Sequence, residues 1–259
     1  MLKTDVVIIG AGPVGLFAIF ELGLLNLKCH LVDNLDKIGG QCAELYPEKP
    51  IFDIPSHVTI SGQELVNNLI KQSKPFDPVF HLNQQAAKIE KISNENWLIT
   101  TSSNTKITSK CIAIAGGAGC FVPRKPPIKN INDFENISIF YSVQNKEMFK
   151  NTNILIAGGG DSALDWSIEL SKIANVTLIH RRKEFRAAPD SVKKLHDLQS
   201  QGKVKFLVGQ IKTLSGSNGK LEKIGYCKDN EDNISFINTD FLLPFYGLKM
   251  ELGPIADWG

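Results

Sequence analysis

The sequence predicts an α/β fold with two Rossmann-like dinucleotide-binding domains, the second inserted into the first, and three observations predict it. A buried apolar run, a glycine-rich turn, a helix and another apolar run open the chain at residue 5. The same order of features restarts at residue 152. Two Pro/Gly-containing segments, PRKPPIK at 123–129 and PFYGLK at 244–249, bracket the second unit. The boundaries read from this are 1–119 with 246–259 for the first domain and 120–245 for the second.

Residues 5–9 (DVVII) have the continuous apolar character of a strand buried on both faces. Residues 13–27 repeat their apolar positions at the helical period, and 28–33 (KCHLVD) form the next strand. The apolar run VVIIGAGPVGLFAIFELGLLNL resembles a leader or a membrane span in hydropathy alone. Glu21 and the early glycines and proline interrupt it, and no small-residue cleavage site follows. Residues 36–60 are rich in Gly and Pro and read as a long loop. Ser61 with Glu64 three residues on is a capping box that starts the helix in SGQELVNNLIKQSKPF. Residues 79–114 alternate in the β manner. Residues 152–180 give strand, turn, helix and strand again, and 203–243 give further strands.

A net charge of +2 and a sequence pI near 8.2 give no bulk reason to expect nucleic acid or membrane as partner. The five cysteines are odd in number and widely spaced, with no C-x-x-C and no Cys/His cluster of metal-binding spacing. A reducing, cytoplasmic compartment is the simplest reading.

The first turn is Gly10-Ala11-Gly12-Pro13-Val14-Gly15. In a G-x-G-x-x-G, the first glycine makes the sharp turn and the second admits a pyrophosphate to the backbone. The third lets the helix pack close, and the helix N-terminus offers N–H donors to the phosphates. Asp33 ends the next strand, where a carboxylate accepts from the two hydroxyls of an adenosine ribose. The second turn is Gly158-Gly159-Gly160-Asp161-Ser162-Ala163, with alanine at the third glycine position. Its following strand ends in His180-Arg181-Arg182, with Arg186 close behind. An isolated basic cluster would read as solvated charge. After a dinucleotide turn, it is the arrangement that holds a ribose 2′-phosphate, which an acid would repel. The first site therefore suits a ribose with free hydroxyls, and the second suits NADP(H).

The chain resembles, from end to end, the ferredoxin–NADP reductases of the thioredoxin-reductase-like type. The segments that carry the resemblance are IIGAGPVGLF, IGGQCAELYPEKPIFDIP, AGGAGCFVPRK, IAGGGDSALDW, IHRRKEFRA and LGPIADWG. The resemblance implies FAD in the first site and NADPH in the second. FAD would lie over Gly10, Gly12, Pro13 and Gly15, with its ribose on Asp33. Gly40 and Gln41 fall in the flavin-contacting GGQ, and Tyr46 matches the aromatic that stacks on the isoalloxazine. Ala86 matches a main-chain contact to the adenine, and Phe121 a contact near the flavin. NADPH would lie on Gly158, Gly160, Asp161 and Ala163, with His180, Arg181, Arg182 and Arg186 at its phosphorylated ribose.

The implied reaction passes hydride from NADPH to flavin N5 and single electrons onward to ferredoxin or flavodoxin, with no side chain acting as acid or base. A homodimer is the implied assembly. An acidic acceptor would dock on basic residues within 123–129 and 181–194. A disulfide reductase of the thioredoxin-reductase type is the competing activity. Cys42 follows the two glycines, but Pro47 stands where a partner cysteine would sit. The family's chain continues into a strand ending in Gly-Asp, a ring-binding threonine and a covering aromatic. The only Gly-Asp here is Gly160-Asp161. A shortened chain that binds NADPH without redox work is therefore a third expectation.

Overall fold

The structure is a computed structural model describing residues 1–228 and 233–258, with the side chains of residues 120, 121 and 250 outside the description. The chain separates into two compact units, Met1–Phe121 with Met250–Gly259, and Val122–Lys249. These junctions fall two and four residues beyond 119 and 245.

The first unit begins with β1 (Leu2–Lys3), β2 (Val6–Ile9), α1 (Pro13–Leu24), β3 (Cys29–Val32) and α2 (Gly40–Glu44). There follow β4 (Pro50–Ile51), β5 (Ile60–Ser61), α3 (Gly62–Ser73), β6 (Val79–His81), β7 (Ala86–Lys91), β8 (Trp97–Thr101), β9 (Lys106–Ser109) and β10 (Cys111–Ile114). A parallel sheet in the order β10-β2-β3-β6 holds the centre, and a second sheet has the order β1-β9-β8-β7. The sequence of β2 explains the layering. Val6 and Ile8 point to a core shared with Leu16 and Ile19 of α1, while Val7 and Ile9 point to one shared with Ile99 and Ile107 of the second sheet. Because a strand's side chains alternate, all four apolar residues are buried, one pair on each face.

Helix α1 ends at Leu24 rather than at 27. Asn26 takes a left-handed φ of 58° and its N–H bonds to the Gly23 carbonyl, which stops the helix. Ser61 caps α3 as the capping box predicts, its hydroxyl accepting from Glu64 N at 3.1 Å. The long loop at 36–60 contains α2, whose five residues are too few to show a period.

In the second unit, β11 (Cys120–Pro123) carries the chain across. It is followed by β12 (Asn153–Ala157), α4 (Asp161–Leu170), β13 (Asn175–His180), α5 (Pro189–Ser200), β14 (Val204–Ser217), β15 (Lys220–Lys228), β16 (Ile234–Asn238), β17 (Phe241–Pro244) and β18 (Leu248–Glu251). Its six-stranded sheet has the order β16-β15-β14-β13-β12-β17. β17, β12, β13 and the first part of β14 run parallel, while the rest of β14 pairs antiparallel with β15, and β15 with β16. Helix α5 escaped the sequence reading because it buries only Leu195 and so shows a thin apolar stripe. Pro189 at its first position was the available start signal.

Candidate dinucleotide sites

Each unit places its glycine turn where a central parallel strand meets a helix. In the first unit, Gly10 has φ +108°, and a Cβ there would lie 2.4 Å from the Ala115 carbonyl oxygen. A Cβ on Gly15 would lie 2.0 Å from the Gly10 oxygen. The fold therefore excludes side chains at both positions. Gly12 is different. Its φ of −76° and ψ of −178° suit any residue, and an added Cβ would meet nothing nearer than the Gly40 Cα at 3.9 Å. Nothing in the protein demands glycine at 12. The open backbone beside the α1 N-terminus leaves room for a group as close as a pyrophosphate to approach. Pro13 occupies the first helical position, where its missing N–H costs nothing.

Asp33 is tied into the same turn. Its Oδ2 accepts from Ala11 N at 2.6 Å and its Oδ1 from Leu35 N at 2.8 Å. Each oxygen keeps a lone pair for a ribose hydroxyl. Gly39 N donates to the Ala11 carbonyl at 2.9 Å, which brings Gly40 against Gly12. Gln41, on α2, has its amide nitrogen 3.8 Å from the position a Cβ would take on Gly117. Ala86 is buried where β7 starts, and Gln84 N donates to the Asp33 carbonyl at 3.0 Å, so the two positions belong to one rim. Tyr46 is half-buried against the α1 core with Lys49 Nζ 5.9 Å from its ring centroid, and burial raises its phenol to about 12, beside Cys42. Of Phe121 only the backbone is described, so the expected flavin contact lies outside the described residues.

Cys42 is buried and free, and burial raises its thiol above the ordinary value. A raised thiol is a poor nucleophile. Among the described residues no disulfide links any of the cysteines, and Cys42 has Tyr46 rather than a second thiol as its neighbour.

The second turn repeats the division of labour. Gly158 has φ +152°, and a Cβ there would lie 2.6 Å from the Phe245 oxygen. A Cβ on Gly159 would strike the His180 ring at 2.4 Å. Gly160, at φ −103° and ψ 179°, meets only the Arg186 oxygen at 3.7 Å, so like Gly12 it has room for a side chain. Ala163 is fully buried, and its Cβ lies 3.0 Å from the position a Cβ would take on Gly158.

His180 ends β13 with its ring against Gly159 and near Phe185 (centroids 5.9 Å apart). Burial lowers its pKa first, and Arg181, Arg182 and Arg186 lower it further, so it is neutral at pH 7. The three arginines are exposed, and among the described residues none of their side chains makes an ion pair or hydrogen bond. Unspent guanidinium donors grouped beside a dinucleotide turn suit a 2′-phosphate. Asp161 Oδ1 accepts from Ala188 N at 2.8 Å. Two neighbours of this cluster carry little signal in the sequence. Phe185 underlies the cationic loop, packing on His180 and on Phe206 (5.0 Å), and its signal was a lone aromatic inside RRKEFR. Tyr246, in the return segment, lies close enough to feel the Arg181 charge, though burial still raises its phenol.

The sequence matches the pyridine nucleotide-disulphide oxidoreductase family over residues 4–252. It is 53% identical over 259 residues to the ferredoxin–NADP reductase of Parvibaculum lavamentivorans, covering all of this chain and 75% of that one. It is 52% identical to the ferredoxin–NADP reductase of Rickettsia akari, covering 78% of that protein. The chain belongs to the ferredoxin–NADP reductase family. It spans about three quarters of the length of these curated family members. Among solved structures, thioredoxin reductase from Lactococcus lactis superposes with a TM-score of 0.83 at 24% identity, covering 99% of this chain and 82% of that one. Thioredoxin reductase from T. acidophilum gives 0.81 at 20% identity, covering 96% and 78%. At those identities the likeness is one of fold. Among the described residues, no helix is long and apolar enough to cross a membrane, and no cluster of side chains could hold a metal ion.

Proposed function

We propose that this chain oxidises NADPH through FAD and delivers the electrons to ferredoxin, the reaction its family members are named for. The observation that carries the reading is the contrast between the two strand ends. Asp33 stands beside the first turn, and three unpaired arginines stand beside the second. FAD, when bound, supplies the conversion between a two-electron donor and a one-electron acceptor. The protein's own part is binding and orientation. Gly12 and the α1 N-terminus take one pyrophosphate, and Asp33 takes the ribose next to it. Gly160 and the α4 N-terminus take the other, and Arg181, Arg182 and Arg186 select the phosphorylated ribose. Gln41 and Tyr46, on and just after α2, hold the flavin end of the first site. No side chain has to move a proton.

A small one-electron carrier is the acceptor class, ferredoxin or flavodoxin. The cytoplasm is the compartment, and a homodimer the assembly the family resemblance suggests. The disulfide-reductase reading loses support from the isolated, buried Cys42. The test is a parallel assay, with NADPH as donor and either ferredoxin or a protein disulfide as acceptor. Reduction of ferredoxin alone supports the proposal. Disulfide turnover that Cys42→Ser abolishes would overturn it.

A further inference from the structure

We infer that Asp161 is a positioning residue for cofactor selectivity, latching the cationic loop 181–188 onto the second glycine turn. The inference rests on the reading of that turn as the NADP(H) site. Asp161 is the first residue of α4, with Gly160 as N-cap. A carboxylate there is suited to the helix dipole but carries the wrong sign for a neighbouring pyrophosphate. The structure resolves the conflict by engaging Oδ1 with Ala188 N at 2.8 Å.

Ala188 has its own reason to need that partner. It is the N-cap of α5 and offers no side-chain cap, and Pro189 follows it. The latch is one of two ties along the loop, and a third holds the helix that follows it. Arg186 N donates to the Gly159 oxygen at 2.7 Å, and Ser191 Oγ donates to Asp165 Oδ1 at 3.1 Å, joining α5 to α4. Since the three arginine side chains have no partner among the described residues, only the loop backbone fixes where their donors reach. Loosening the backbone at Ala188 spreads those donors over more positions. That loss falls on a nucleotide carrying a 2′-phosphate and spares one that lacks it.

The test uses the full chain and two variants, Asp161→Ala and Asp161→Asn, titrated calorimetrically with NADP+ and with NAD+. Loss of one hydrogen bond predicts that Asp161→Ala weakens NADP+ roughly 5-fold. NAD+ should be unchanged, and the Ala188 and Arg186 amides should exchange faster with solvent. Asp161→Asn keeps an acceptor oxygen and should recover most of the NADP+ affinity. If wild type separates NADP+ from NAD+ and Asp161→Ala preserves that ratio, the latch is wrong and the site reading stands. If both nucleotides bind Asp161→Ala more tightly, the carboxylate acts by repelling phosphate, and the inference is overturned. If wild type does not separate the two nucleotides, the NADP(H) reading falls and takes the inference with it.

Discussion

Adding one methyl at Gly12 and one at Gly15 should have opposite consequences, although the two glycines belong to one motif. At Gly15 the new Cβ would lie 2.0 Å from the Gly10 carbonyl oxygen, and the backbone on both sides is packed. Overpacking of that kind costs about 1–3 kcal/mol or more. For a chain of this size that lowers Tm by roughly 2–4 °C per kcal/mol. At Gly12 the nearest atom is 3.9 Å away and the backbone angles suit alanine. Alanine is a poorer N-cap than glycine, but it also reduces the freedom of the unfolded chain, so the two effects offset to within about 1 kcal/mol. The methyl then stands where the pyrophosphate would approach. Losing a charge-assisted hydrogen bond of roughly 1.5–3 kcal/mol weakens FAD by about 10- to 150-fold. The assay is thermal melting of the apoprotein beside an FAD titration followed by flavin fluorescence. Gly12→Ala should melt with wild type and bind FAD poorly, while Gly15→Ala should melt early even without FAD. Normal FAD affinity in Gly12→Ala would refute the placement of the pyrophosphate.

Three further outcomes follow from the same geometry. Arg181→Ala with Arg182→Ala should lower NADPH affinity roughly 10- to 100-fold and leave NADH unchanged, and raising salt should narrow the wild-type preference. Cys42→Ser should leave NADPH-driven ferredoxin reduction within about 2-fold of wild type if Cys42 takes no part in electron transfer. The His30–His81 pair, with ring nitrogens 3.0 Å apart, has both pKa values lowered, by burial and, for His30, by the other ring. Groups depressed below the unfolded value near 6.5 contribute stability that is complete above it and is lost as pH falls through the folded values. Denaturation midpoints should therefore fall below about pH 6.5, and His81→Gln should flatten that fall.

Sequence patterns that repeat within one element were legible, and those that need a tertiary partner were not. The buried strands, the two glycine turns and the capping box at Ser61 depend on local spacing and appear where expected. The same pattern did not separate glycines fixed by the fold from those left open. Gly12 and Gly160 differ from Gly10 and Gly158 in their backbone angles and in what lies across from them, and neither is written in the local spacing. Asp161 is read as a nucleotide contact from its place in the turn, and nothing in the sequence marks its hydrogen bond to the chain beyond β13. Its partner, Ala188 N, is 27 residues away and carries no sequence signal. Helix α2 is short and α5 has one buried residue, so neither could announce itself by periodicity.

The most direct test of the whole account is the visible spectrum of the purified chain, recorded without oxygen before and after one equivalent of NADPH, and again with NADH. A flavin spectrum that bleaches with NADPH and much more slowly with NADH is the predicted result. Protein that holds no flavin even after incubation with FAD, or that bleaches equally with both donors, would contradict it.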